Sequence, residues 1–169
     1  IAGYLQRILP SARIGIAPAP GWTVACSLPE VPGRPGEYQA PNFDVLADAI
    51  FIAGSWTEIG FESGGARYRM AFSQPPDFHD RKVADDVRAI ARETAAVFGT
   101  TPFTTYLVIY ILEPEGGRGG IEHLFGTSIA QPQNPFEARE DYKKFLGVTA
   151  HELVHALDVV PQGIVLADG

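Results

Sequence analysis

His151-Glu152-Leu153-Val154-His155 constrains the fold of this chain more than any other stretch. On an α-helix, histidines four residues apart project from one face about one turn apart. That separation lets both imidazoles reach a single tetrahedral zinc ion. The glutamate between them points beside the metal rather than at it, where it can take a proton from an attacking water. The pattern therefore predicts a helix over 141–159 with His151 and His155 as metal ligands and Glu152 as general base. Leu146, Thr149, Leu153, Ala156 and Leu157 give that helix a separate apolar face. A surface helix with two incidental histidines would carry more charge than Val148, Ala150, Leu153 and Val154 provide.

Two imidazoles do not complete a catalytic zinc site, which takes three protein ligands and keeps one position for water. Asp158 stands three residues beyond His155, too close along the helix to finish a tetrahedron, and suits a supporting or helix-end role. Asp168 lies near the end of the sequence. The third ligand is instead expected to be a glutamate on a following helix. The sequence opens at Ile1 and reads as part of a longer polypeptide. Zinc is accordingly expected in the full-length protein, and weak or absent in these 169 residues alone.

Gly119-Gly120-Ile121-Glu122-His123 forms a second constellation upstream. Paired glycines let a substrate backbone approach closely and leave main-chain groups free to bond it. An adjacent acid, Glu122, suits a substrate's terminal ammonium, although the same stretch also reads as a turn with a solvated carboxylate. His123 is a candidate to face the same cleft. His79, in Asp77-Phe78-His79-Asp80, reads as a capping or surface residue. Asp44 and Asp48 read as capping groups, and Trp22 and Trp56 as packing residues.

Along the chain, the pattern predicts an α+β fold. Ala12–Ile16, Trp22–Ser27 and Arg67–Phe72 read as strands, the last with clear alternation. Pro29–Pro41 reads as an irregular loop, and 44–50 as a helical turn leading into a strand. Ser73-Gln74-Pro75-Pro76 marks an expected boundary, giving a β-rich N-terminal domain over 1–75 and a second domain over 76–169. In the latter, Val83, Val87, Ile90, Ala91, Ala95 and Phe98 predict a helix over 81–98 that stops at Gly99. Tyr106–Leu112 reads as a strand buried on both faces, 113–120 as a glycine-rich loop, and 129–134 as a polar connection. Cys26, the single cysteine, forms no internal disulfide and reads as a buried, inert thiol.

A net charge of -7 without any Lys or Arg cluster disfavours a nucleic-acid or anionic-membrane partner. The longest apolar run, Tyr106–Leu112, is far too short to span a bilayer. Periplasmic and cytoplasmic locations both remain open, as does the oligomeric state.

With the two motifs in place, the chain resembles the glycyl aminopeptidase family, zinc metallopeptidases that often carry a PDZ domain after the catalytic one. The family's G-G-L-E-H stands here as Gly119-Gly120-Ile121-Glu122-His123, followed by Thr127-Ser128. Gly21-Trp22, Asp44-x-Leu46-x-Asp48, Phe98-Gly99 with Pro102, and Tyr106 also fit, so the similarity runs to about residue 160. The resemblance implies a β-rich region followed by the first half of a thermolysin-like zinc peptidase domain. It also implies a peptide substrate with a free N-terminus, whose amino group Glu122 binds while Gly119 and Gly120 meet its backbone. The family's third ligand glutamate and transition-state tyrosine fall beyond Gly169. The sequence departs from the family at Leu157-Asp158, where Trp-Asn is usual, which leaves the preferred residue open. Two other readings stand beside an aminopeptidase: a zinc endopeptidase with the same chemistry, and a degenerate, non-catalytic peptide-binding module.

Overall fold

Short strands built from Ala12–Gly15 (β1), Thr23–Cys26 (β2), Glu37–Ala40 (β3) and Phe51–Gly54 (β4) open the fold. In the computed structural model, which describes residues 11–79 and 81–158, they pair antiparallel as β1 with β3 and β2 with β4. A single helical turn, α1 (Phe43–Ala47), lies between β3 and β4. Asn42 caps it, its side chain accepting from the Val45 N–H at 2.9 Å. Of the two aspartates expected as caps, Asp48 takes the C-cap position of this helix, whereas Asp44 sits inside its first turn.

The remaining strands make one mixed sheet. They are β5 (Thr57–Ser63), β6 (Ala66–Phe72), β7 (Thr105–Glu113), β8 (Gly119–His123) and β9 (Gly126–Pro132), in the order β5-β6-β7-β9-β8. Helix α2 (Val83–Phe98) crosses between the parallel strands β6 and β7, and β7 runs parallel to β9. Helix α3 (Arg139–Asp158) follows β9. Gly99 ends α2 as its sequence predicts, with φ of 77° and its N–H on the Ala95 carbonyl. Gly64 and Gly65 close the β5–β6 hairpin with φ of 60° and 81°, the left-handed pair that a two-residue loop favours.

Strand β7 is the centre of the molecule. Tyr106, Val108, Tyr110 and Leu112 face a core shared with α2 and α3, where Tyr110 stacks on Phe72 at 4.8 Å between centroids. Leu107 and Ile109 point the other way, against Ala25, Ala71, Ile50, Ile52 and Trp56. Helices thus cover one face of the sheet and the β2–β4 pair covers the other. Each large side chain buried here stabilises the fold by about 1.5–3 kcal/mol. The alternation of Tyr, Val, Tyr and Leu with Leu and Ile is what lets one strand serve two cores.

Several expectations are corrected. The expected boundary after residue 75 lies in the coil between β6 and β7, two strands that pair directly from Arg67↔Thr105 to Phe72↔Tyr110. Pro75-Pro76 marks the exit from β6 toward the crossover helix rather than an interdomain linker. The 29–41 stretch contains β3, whose pairing with β1 buries Tyr38 and Ala40 despite the surrounding Pro and Gly. The supposed polar connection at 129–134 is, as far as Pro132, the end of β9, with Ile129 and Gln131 fully buried. Trp22 is 52% exposed, so only Trp56 packs as expected, its indole N–H donating to the Thr23 carbonyl. No helix among the described residues is long and apolar enough to cross a membrane.

Candidate metal centre

Packing fixes the rotation of α3, and the rotation presents the motif. Phe145, Thr149, Leu153 and Ala156 are buried against the sheet. The Thr149 hydroxyl bonds the Phe145 carbonyl at 2.9 Å and the Tyr110 hydroxyl at 3.1 Å. Those contacts turn His151 and Val154 to solvent and leave His155 half-buried.

The two rings point the same way. Their Nε2 atoms lie 3.1 Å apart and their centroids 4.6 Å apart, the planes crossed at 81°. Two imidazole nitrogens on one tetrahedral zinc, each about 2.0–2.1 Å from it, would stand about 3.3 Å apart. The observed spacing and the nitrogen donor chemistry therefore fit a zinc ion held by His151 and His155. Among the described residues no group of three or more His, Cys, Asp or Glu is gathered into a cation site. Asp158 is exposed at the end of α3, and Asp168 lies outside the described residues.

Glu152 is only 3% exposed and sits under the edge strand. Gly120 of β8 lies so close that a Cβ there would collide with the Glu152 carboxyl group. Thr127 of β9 contributes the one hydrogen bond that reaches this carboxylate among the described residues, at 3.3 Å to Oε2. The same hydroxyl lies 3.0 Å from the Ile121 carbonyl, so a single proton serves two acceptors. Beneath them the Tyr106 hydroxyl donates to the Gly126 carbonyl at 2.9 Å. Burial pushes that phenol well above the ordinary tyrosine range, and the Glu152 charge pushes it further, so it stays a donor.

Register places the second motif on the same face. Glu122 lies opposite Thr127 and Gly120 opposite Ile129 in the β8–β9 pair. Directly opposed residues share a face, as do residues two apart on one strand. Gly120, Glu122 and Thr127 therefore all lie on the side of the sheet toward α3. Glu122 is exposed and has no ion-pair partner among the described residues. Gly119, opposite Ala130, begins the strand. His123 is turned elsewhere: its Nδ1 lies 3.2 Å from Asp48 Oδ1. His79 is a surface residue, its N–H bonded to Asp77.

Thr127 and Asp48 are the residues whose site contacts the sequence does not disclose. Thr127 meets Glu152 only through hairpin register, and Asp48 meets the β8–β9 turn from 76 residues away. Cys26 is buried, with its thiol pushed up by burial, in keeping with an inert role. It helps line a cavity of about 520 Å³ with Leu28, Tyr38, Val45, Arg69 and Phe125, which none of the three motif residues touches.

No protein-family model matches the chain, and no curated protein sequence matches it. Among solved structures, it is similar to an aminopeptidase N family protein from Idiomarina loihiensis, with a TM-score of 0.79 at 24% identity. The similarity covers 86% of this chain and 27% of that one, so this chain spans about a quarter of that protein's length. The likeness establishes a shared fold.

Proposed function

We propose that the protein is a zinc metallopeptidase of the aminopeptidase kind, and that these residues form the first half of a thermolysin-like catalytic domain. One observation carries the reading: the His151 and His155 nitrogens converge at 3.1 Å while Glu152 lies buried between them and the edge strand. Similarity of fold to an aminopeptidase N family protein supports it.

His151 and His155 would hold the zinc, with a third ligand from a part of the polypeptide outside this sequence. A bound zinc ion would polarise the scissile carbonyl and make an adjacent water acidic near neutral pH. Glu152 accepts the proton of the attacking water at its carboxylate, then returns it to the departing amine. Thr127 steadies the carboxylate through Oε2 and leaves Oε1 for this exchange. An extended peptide adds to β8, the edge strand of the sheet among the described residues, its main chain bonding along Gly119 and Gly120. Glu122, two residues on and on the same face, takes the peptide's terminal ammonium, which sets cleavage near the end of the substrate.

Replacing Glu152 by Gln in the intact protein tests the mechanism. Turnover should vanish while metal analysis still finds zinc; retained turnover removes the reading. Comparing a free and an N-acetylated peptide then separates exopeptidase from endopeptidase, since only an endopeptidase cleaves both.

A further inference from the structure

Two hairpins in the sheet are closed by two-residue loops of opposite character. Gly64-Gly65 supplies the positive φ pair that matches the twist of β5 and β6. Leu124-Phe125, between His123 and Gly126, supplies neither, because the only non-glycine positive φ among the described residues is at His79. A two-residue loop with negative φ at both positions splays its strands unless something outside the loop holds it.

That hold comes from Asp48 at the end of α1. One carboxylate oxygen accepts from the Leu124 N–H at 2.6 Å, and the other lies 3.2 Å from His123 Nδ1. Leu124 and Phe125 also pack against the cluster around Tyr38, Ala40 and Val45. The opposite end of β8 is tied as well, by Arg118 to Asp141 on α3 at 2.7 Å.

We propose that Asp48 is a positioning residue for the substrate edge: it fixes the β8–β9 turn and thereby the register of Gly120 and Glu122 over Glu152. The inference rests on the peptidase reading given above. Register matters here because a one-residue slip turns every β8 side chain to the other face. Glu122 would then leave the side of α3, and a slip in one of the two directions would set Ile121 in place of Gly120 against the Glu152 carboxyl, where no Cβ fits. A charge-assisted bond to a backbone N–H is among the stronger single anchors available to a turn.

The test uses Asp48→Ala and Asp48→Asn in the intact protein, reading amide hydrogen exchange and peptide kinetics. In the alanine variant, exchange over 119–124 should rise about tenfold or more, while β6 and β7 keep their protection. KM for a free-amine peptide should rise about tenfold with less change in kcat, and the preference over the N-acetylated peptide should narrow. Asp48→Asn should recover part of both, since its amide oxygen still accepts from Leu124. Unchanged exchange, unchanged KM, or uniform acceleration across β6, β7 and β8 would each overturn the proposal. If the alanine variant does not fold, Asp48→Ser is read in the same way, because its hydroxyl is too short to reach Leu124. A native protein that cleaves neither peptide would sink the peptidase reading alone, and exchange would still decide whether Asp48 holds the turn.

Discussion

Gly120 stands directly against Glu152: the edge strand and the buried carboxylate of α3 are so close that only a hydrogen fits where a Cβ would be. This pair joins the two motifs that lie some thirty residues apart in sequence. It makes the position of β8 and the position of the proposed base one geometric variable.

Gly120→Ala is therefore expected to damage activity far beyond its size. Gly120 has no positive φ, so alanine suits the backbone and the whole effect arises from the displaced carboxylate or strand. A displacement near 1 Å at a reacting group costs about a hundredfold in rate. Peptidase kcat/KM should fall by about that factor with zinc content retained, and near-native kcat/KM would show that Glu152 is not held by this contact.

Thr127→Val keeps shape while removing the hydroxyl that serves both Glu152 and the Ile121 carbonyl. The buried Glu152 carboxylate and the part-buried Ile121 carbonyl lose this donor, so denaturant unfolding should show a loss of about 1–2 kcal/mol. Turnover should drop about tenfold. An unaltered rate would mean that Glu152 is steadied by another group.

Gln131 is fully buried in β9, and neither its amide nitrogen nor its oxygen has a hydrogen-bond partner among the described residues. Burying such groups unpaired costs about 1–3 kcal/mol, so Gln131→Met should raise the unfolding free energy by a comparable amount. A destabilised methionine variant would place an ordered water or another partner on that amide.

Alkaline pH should unfold the protein through its buried tyrosines. Burial raises Tyr68 from the ordinary 10.0 to about 12, and raises Tyr106, Tyr110 and Tyr142 further. Each phenol stays protonated in the folded state over a range where the unfolded chain ionises. Their contribution is thus complete below about pH 10, and is lost as pH rises through the folded values. Urea midpoints should hold up to about pH 10 and then fall steeply, by about 1.4 kcal/mol per pH unit for each tyrosine still protonated only when folded. A flat profile to pH 12 would contradict this account of the core.

Helix α3 with its motif, the α2 crossover helix with its Gly99 stop, and the central strand β7 were legible from residue order alone. Each is governed by a local period or by one residue's own backbone preference, so neighbours in sequence carry the information. The same holds for the spacing that points His151 and His155 to one side. What the sequence withheld depends on partners far along the chain. β3 forms among Pro and Gly because β1 pairs with it, and β6 and β7 pair across the Pro75-Pro76 stretch that separates them in sequence. Thr127 reaches Glu152, and Asp48 reaches Leu124, only once register and packing are set. Periodicity specifies which face a side chain takes; only the closed sheet decides what stands opposite it, because strand pairing and helix docking join residues whose separation in sequence carries no local signal.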